Sequence, residues 1–180
     1  MIYINEEALP LAHCEKILDI FWSIPEVIVD EANENHFWPS AKEYNEMSDE
    51  YWLENSWKYQ HPQGRMHATV NGHKRKIVYE MVEGHLPHLF AELSYMQIIR
   101  YPEHSFMEWH LDTGDSEDEG TAMVFLNDNY LGGNLNVSGH RLITKQGTVV
   151  AFEDSTEIFH GVEPIYKGER YCLAMWFHKV

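Results

Sequence analysis

Short β-rich runs separated by turn signals fill the C-terminal half of the chain, and they constrain its fold more than any other feature. The runs cover residues 94–101, 105–110, 121–127, 134–137, 141–144, 148–152 and 170–178. The turns between them are rich in glycine, as at Gly132-Gly133, Gly147 and Gly168. Many short strands at this spacing are typical of an antiparallel sandwich or barrel.

The N-terminal half has a more helical character. Residues 2–4 are β-rich, and apolar residues recur at helical spacing over 9–23. A second helical stretch is predicted over 77–92, although Gly84 and Pro87 interrupt it. Helices first and strands later predict a mainly β fold with flanking helices, in which N-terminal α-helices pack outside a double-sheet jelly roll.

Between the two helical stretches, residues 30–72 are irregular in pattern and rich in aromatic and polar side chains. A lid or substrate-facing wall and an aromatic-anchored surface loop fit this composition equally well. The length of 180 residues fits one domain. We therefore expect a single unit over residues 1–180, with 1–93 as helical support and substrate-facing segment and 94–178 as the jelly-roll core.

The net charge and the cysteines limit which binding partners and which cellular compartment are expected. A formal net charge of −16 repels phosphate backbones and anionic lipids, so neither nucleic acid nor membrane is expected as a partner. The N-terminus lacks a basic region followed by an apolar stretch, so no signal peptide is expected. Cys14 and Cys172 lie in apolar runs and are predicted to be buried free thiols, which favours a reducing, cytoplasmic setting.

The triplet His110-Leu111-Asp112 is the most informative local pattern. Residues two apart in a strand point to the same face, so both polar side chains can reach one ion. His160 is the candidate third ligand, because 48 residues (160 − 112) leave room for several hairpins to cross the domain and return. The chain has twelve histidines, so an H-x-D triplet alone also fits a histidine and an aspartate that are simply exposed at the surface. The prediction of a metal site therefore depends on the triplet together with the other signals.

Two imidazoles and one carboxylate on one face leave about three open positions on an octahedral ion, which is the facial triad of non-haem iron(II) oxygenases. A bidentate cosubstrate and dioxygen require such vacancies. Mixed nitrogen and oxygen donors suit iron(II), but zinc also binds them, so a zinc-dependent hydrolase stays open at this point.

Arg170 follows His160 by ten residues and begins an otherwise apolar strand. A cation entering a buried strand is costly unless it meets an anion, and a guanidinium is shaped for bidentate binding of a carboxylate. Arg170 is therefore a candidate anchor for an anionic cosubstrate, with simple exposure at the strand start as the alternative.

Taken in order, these signals resemble the iron(II)/2-oxoglutarate-dependent dioxygenases, and within them the prolyl 4-hydroxylase-like group. The likeness covers residues 95–177 and is carried by Arg100-Tyr101, His110-Leu111-Asp112, Phe125-Leu126-Asn127, Gly132-Gly133, the run 147–152, His160-Gly161-Val162-Glu163-Pro164, Gly168-Glu169-Arg170-Tyr171 and Trp176-Phe177. It implies a double-stranded β-helix core, with His110, Asp112 and His160 as the iron ligands.

The resemblance also implies a cosubstrate site. Arg170 matches the residue that pairs with the C5 carboxylate of 2-oxoglutarate, and Tyr101 matches a tyrosine that donates to the same carboxylate. Trp176 matches a tryptophan of the core with a structural role.

The chain departs from its relatives at positions that contact the cosubstrate. Phe125 and Leu135 stand where some relatives have a tyrosine and a threonine that donate to it, and Met107 replaces an aromatic residue. Thr121 is the candidate replacement donor.

The implied reaction is hydroxylation of an unactivated C–H bond, most simply in a prolyl or other peptidyl residue, with dioxygen consumed and succinate and carbon dioxide released. The implied cofactors are iron(II) and 2-oxoglutarate, with ascorbate as a reductant. A hydroxylase of a free amino acid or small molecule on the same scaffold and a non-catalytic jelly-roll binding module are the alternatives, because fold-level likeness does not fix a substrate.

Overall fold

The computed structural model describes residues 1–6, 8–29, 65–88, 92–112, 118–153 and 158–178. These residues form two α-helices, α1 (Leu11–Trp22) and α2 (Gly72–Val82), and a 3-10 helix over Glu83–His85. The strands are β1 (Ile2–Asn5), β2 (Ile28–Val29), β3 (Met66–Thr69), β4 (Glu92–Tyr101), β5 (Met107–His110), β6 (Asp118–Phe125), β7 (Leu131–Gly132), β8 (Leu135–Val137), β9 (His140–Leu142), β10 (Val149–Glu153), β11 (His160–Val162), β12 (Ile165–Lys167) and β13 (Arg170–His178).

The strands form two main antiparallel sheets and a small ladder. The larger sheet has the order β1-β10-β6-β13-β4-β3-β2, and the smaller sheet has the order β5-β11-β8-β9. Strands β7 and β12 pair separately. The predicted jelly roll with flanking helices is confirmed, and the N-terminal half adds β1, β2 and β3 to the larger sheet as well as the helices.

The two faces of the larger sheet bury different sets of side chains. On β13, Leu173, Met175 and Phe177 face one core, which they share with the helices. In α1, Cys14, Ile17 and Phe21 recur at helical spacing and are buried in that same core. The alternate β13 residues, Cys172 and Ala174, face the second core, which lies between the sheets. This alternation places the functional face of the sheet opposite the helices.

The second helix differs from the prediction. It covers Gly72–Val82 rather than 77–92, and Val78 and Val82 are its buried residues. Glu92 and Leu93 already belong to β4, where they pair with His178 and Phe177 of β13. Gly84 and Pro87 therefore mark the end of the helix and the connection that follows, because proline cannot continue a helical ladder.

The segment 30–72, predicted to be irregular, contains the strand β3, which pairs with β4 from Met66↔Arg100 to Thr69↔Gln97. The lid-or-loop question concerns residues 30–64, which lie outside the described residues.

Both cysteines are buried free thiols, as predicted. No helix in the described ranges is long and apolar enough to span a membrane.

Candidate metal centre and cosubstrate cavity

Three predicted metal ligands converge at the edge where the smaller sheet meets the larger one. His110 is the last residue of β5 and is the register partner of His160, the first residue of β11. Asp112 follows His110 by two residues. Its Oδ1 lies 3.3 Å from His110 Nε2, and its Oδ2 lies 3.3 Å from His160 Nε2. One donor atom from each residue lies within 4.8 Å of the others, so a single divalent ion can contact all three.

Electrostatics favour the ionised form of Asp112 and the neutral form of His160. Burial alone would raise the pKa of Asp112, but hydrogen bonds and charge from His110 and His160 hold it well below the usual range. Burial lowers the pKa of His160, and the neighbouring charge of His110 lowers it further. A carboxylate and neutral imidazoles are the forms that ligate metals.

Two donors beside the site fix the orientation of the Asp112 carboxylate. Thr121 Oγ1 donates to Asp112 Oδ2 at 2.8 Å, and Trp176 Nε1 donates to the same oxygen at 3.2 Å. The Trp176 ring is itself held by a stacked contact with Tyr95, with centroids 4.3 Å apart and planes 8° apart. Oδ2 is thereby occupied by donors, which leaves Oδ1 for an ion.

The structure adds a contact to two residues singled out from sequence. Thr121, the candidate replacement donor to 2-oxoglutarate, donates to Asp112, and its contact with 2-oxoglutarate stays a prediction. Trp176 was given a structural role only, yet its indole N–H contacts the same carboxylate. Both residues act on the metal ligand because β6 and β13 pair at Trp176↔Thr121, a register that local sequence does not reveal.

Arg170 is fully buried, and no carboxylate among the described residues pairs with it. It is the register partner of Tyr101, and its Cζ lies 4.9 Å from the ring centroids of both Tyr101 and Phe125. Its Nη1 contacts Cys172 Sγ at 3.5 Å, whereas Nε and Nη2 have no hydrogen-bond partner within the described part of the chain. A buried guanidinium with two unused donor groups is costly and indicates the binding place of an anion such as a carboxylate.

Gly133 makes room for this guanidinium. Its φ of +63° lies in the left-handed region, and a Cβ built there would come within 3.2 Å of Arg170 Cδ. The Gly132-Gly133 pair, predicted as a turn, therefore also borders the Arg170 site.

A cavity of about 180 Å³ lies beside the three ligands. Its walls include all three ligands as well as Tyr101 and Cys172, both of which contact Arg170. Phe125 and Leu135, which replace donors of the relatives, are both fully buried. The donor set fits a divalent ion and the guanidinium fits a carboxylate, so the residues present fit iron(II) and 2-oxoglutarate.

Sequence reasoning missed two polar side chains that line this cavity, Arg65 and Gln97. Gln97 was recoverable, because it is two and four residues from Ile99 and Tyr101 on one face of β4. Arg65 precedes β3, a strand that was not predicted, so no local signal identified it.

Comparison with solved structures supports the fold. A 2OG-Fe(II) oxygenase family oxidoreductase from Burkholderia pseudomallei is 13% identical, with 98% of this chain and 84% of that chain covered at a TM-score of 0.67. A prolyl-4-hydroxylase from Pseudomonas putida is 16% identical, and the match covers 99% of this chain and 92% of that chain at a TM-score of 0.62. A third solved structure is a prolyl hydroxylase from Trichoplax adhaerens in complex with a hypoxia inducible factor oxygen degradation domain peptide fragment. It is 16% identical, and the match covers 99% of this chain and 83% of that chain at a TM-score of 0.60.

None of the curated proteins matches the sequence significantly. The family model of the 2OG-Fe(II) oxygenase superfamily matches residues 96–178, a segment that contains His110, Asp112, His160 and Arg170. Over residues 96–178 the chain is therefore similar to the 2OG-Fe(II) oxygenases, and the solved structures of that kind share its fold.

Proposed function

We propose that the chain hydroxylates an unactivated C–H bond of a prolyl or other peptidyl residue, using iron(II), 2-oxoglutarate and dioxygen. The observation that carries this proposal is a His110–Asp112–His160 donor set that shares one cavity with Tyr101 and Cys172, the two residues against which the buried Arg170 packs. A metal site alone also suits a hydrolase, whereas the guanidinium beside the cavity adds a group that suits the far carboxylate of 2-oxoglutarate.

In this proposal each protein group has a defined task. His110, Asp112 and His160 hold the metal, and Thr121 and Trp176 keep the Asp112 carboxylate turned toward it. Arg170 and Tyr101 bind the C5 carboxylate of 2-oxoglutarate at the far end of the cavity. Bound iron(II) and 2-oxoglutarate would together supply the oxidising power for C–H hydroxylation, with release of succinate and carbon dioxide.

Part of the cavity lining is apolar. Ile99, Met123 and Val162 lie in its walls, together with polar side chains such as Arg65 and Gln97. Apolar surroundings strengthen an ion pair between Arg170 and a carboxylate.

The substrate class is supported by the neighbours and by the wall beside the metal. Two of the structural neighbours are described as prolyl hydroxylases, one of them with a bound peptide fragment. Trp176, which stacks on Tyr95, and Gln97 line the same cavity as the metal ligands and offer an aromatic side chain and a polar amide. Such a combination suits a prolyl ring and an adjoining peptide amide.

Two further features of the proposal concern conditions rather than chemistry. The buried free thiols of Cys14 and Cys172 support a reducing, cytoplasmic compartment. Ascorbate is proposed as the reductant that restores iron(II) after uncoupled turnover.

The test is succinate formation from 2-oxoglutarate by the iron-loaded protein, followed with a library of prolyl peptides, free amino acids and small molecules, with and without ascorbate. We expect peptide-dependent succinate formation and a mass gain of one oxygen atom in the peptide. Oxygen gain in a free amino acid alone would assign the small-molecule alternative. Absence of any succinate from the protein loaded with iron, with or without substrate, would assign a non-catalytic module, and hydrolysis with zinc would overturn the proposal.

A further inference from the structure

A second arginine, Arg65, lies on the opposite side of Tyr101 from Arg170. Strand β3 pairs with β4 at Met66↔Arg100, so the next residue back along β3 reaches the level of Tyr101. Arg170 is the partner of Tyr101 on the other neighbouring strand. The Cζ atoms of Arg65 and Arg170 lie 5.9 Å and 4.9 Å from the Tyr101 ring centroid, so one phenol stands between two guanidinium groups.

The two arginines beside Tyr101 offer hydrogen-bond donors and no acceptors. A guanidinium donates hydrogen bonds and never accepts them, whereas a phenolic hydroxyl has one proton to donate and lone pairs to accept with. Towards Arg65 and Arg170, the Tyr101 hydroxyl can therefore act only as an acceptor. Its own proton stays available for an acceptor that the two arginines cannot supply.

The Tyr101 hydroxyl also keeps the proton that it would donate. Burial raises the pKa of Tyr101, and the charges of Arg65 and Arg170 and a hydrogen bond from Arg65 only partly oppose that effect. The hydroxyl therefore keeps its proton at neutral pH. A neutral phenol that accepts from a cation donates more strongly to an anion, because the two hydrogen bonds polarise each other.

We propose that Arg65 is a positioning residue for the cosubstrate: it orients the Tyr101 hydroxyl so that its proton points to the far carboxylate held by Arg170. This inference rests on the proposed function. It also explains how the chain manages without donors at Phe125 and Leu135, since the reinforced Tyr101 hydroxyl takes over part of their role. Arg65 lines the cavity itself, as Tyr101 does.

The first experiment separates the far carboxylate from the metal-binding end of the ligand. Anaerobic protein loaded with iron(II) is titrated with 2-oxoglutarate and, in parallel, with pyruvate, a 2-oxo acid that lacks the far carboxylate. In Arg65→Met we expect the Kd for 2-oxoglutarate to rise about tenfold, the loss typical of one hydrogen bond that supports a charged group. The Kd for pyruvate should stay within about twofold, because pyruvate never reaches Tyr101.

The second experiment asks whether Arg65 acts through Tyr101. In a double-mutant cycle, adding Arg65→Met to Tyr101→Phe should weaken 2-oxoglutarate binding no further than Tyr101→Phe does alone. Arg65→Lys should recover part of the affinity, because an ammonium also donates to the hydroxyl. Additive losses would overturn the inference by showing that Arg65 acts independently of Tyr101.

Arg100→Met is the matched control. Arg100 neighbours Tyr101 on β4 but faces the other side of the sheet, where it pairs with Glu169. Its substitution should leave both ligand affinities unchanged. Equal weakening of pyruvate and 2-oxoglutarate in Arg65→Met would assign Arg65 to the fold and overturn the inference. Failure of the wild-type protein to bind 2-oxoglutarate at all would instead overturn the proposed function.

Discussion

Replacing Arg170 with methionine should stabilise the ligand-free protein while abolishing its response to 2-oxoglutarate. In the ligand-free fold the guanidinium is fully buried, two of its nitrogens have no partner, and no carboxylate of the described residues pairs with it. Methionine fills a similar volume without a charge. The same change removes the group proposed to bind the C5 carboxylate, so stability and ligand response should move in opposite directions.

The magnitude follows from two opposing contributions. An unpaired buried ion costs several kcal/mol even after relaxation. Contacts with the Tyr101 and Phe125 rings return about 1–2 kcal/mol each at a desolvated site. We expect a net gain of about 1–2 kcal/mol in Arg170→Met, which in a chain of this size raises Tm by roughly 2–8 °C.

Thermal unfolding with and without ligand measures both effects. With Mn(II) present under air-free conditions, 2-oxoglutarate at a hundred times its Kd should stabilise the wild type by about 2.7 kcal/mol and leave Arg170→Met unchanged at the same concentration. Arg100→Met is the control, because Arg100 is paired with Glu169 and its loss should lower Tm. If ligand-free Arg170→Met melts below the wild type, as the control does, the guanidinium is satisfied in the free fold and the reasoning fails.

Two further predictions concern the metal ligand and the thiols. Thr121→Val and Trp176→Phe each remove one donor to Asp112 Oδ2 and should weaken Mn(II) or iron(II) binding about tenfold to a hundredfold by calorimetry, whereas unchanged affinity would deny the two residues that role. Cys14 and Cys172 should resist thiol reagents at pH 8 in the native state, because burial raises the pKa of Cys14 to about 11 and also raises that of Cys172, so both stay protonated there; rapid labelling before unfolding would contradict the structure.

Local sequence predicted the parts of the site that strand geometry controls. His110 ends β5 and Asp112 follows it by two residues, so the period of two, continued just past the strand end, predicted that their side chains meet. The apolar strand that Arg170 begins left two possibilities open, a buried anchor for an anion or an exposed strand start, and the structure places the side chain in the interior. The jelly-roll half was predictable for the same reason, since its turns and its strand alternation are patterns of a few consecutive residues.

Long-range pairing was beyond local sequence. The strand β3 has only four residues, and it forms because β4 offers a partner from Gln97 to Arg100. Arg65 was missed with it. The contact of Thr121 with Asp112 likewise depends on the register between β6 and β13, which the whole sheet determines.

The second helix was misplaced for a related reason. Apolar residues continue at helical spacing beyond Val82, but the chain there turns to start β4, where Leu93 pairs with Phe177. Sheet pairing outweighed helix propensity at this boundary.

We expect His110, Asp112 and His160 to hold iron(II) at the end of a cavity that binds 2-oxoglutarate. Anaerobic addition of iron(II) and then 2-oxoglutarate should produce a visible metal-to-ligand charge-transfer band that saturates at one iron per chain. The band should be absent in Asp112→Ala and His160→Ala. A wild-type protein without the band, or either variant with an undiminished one, would contradict the account.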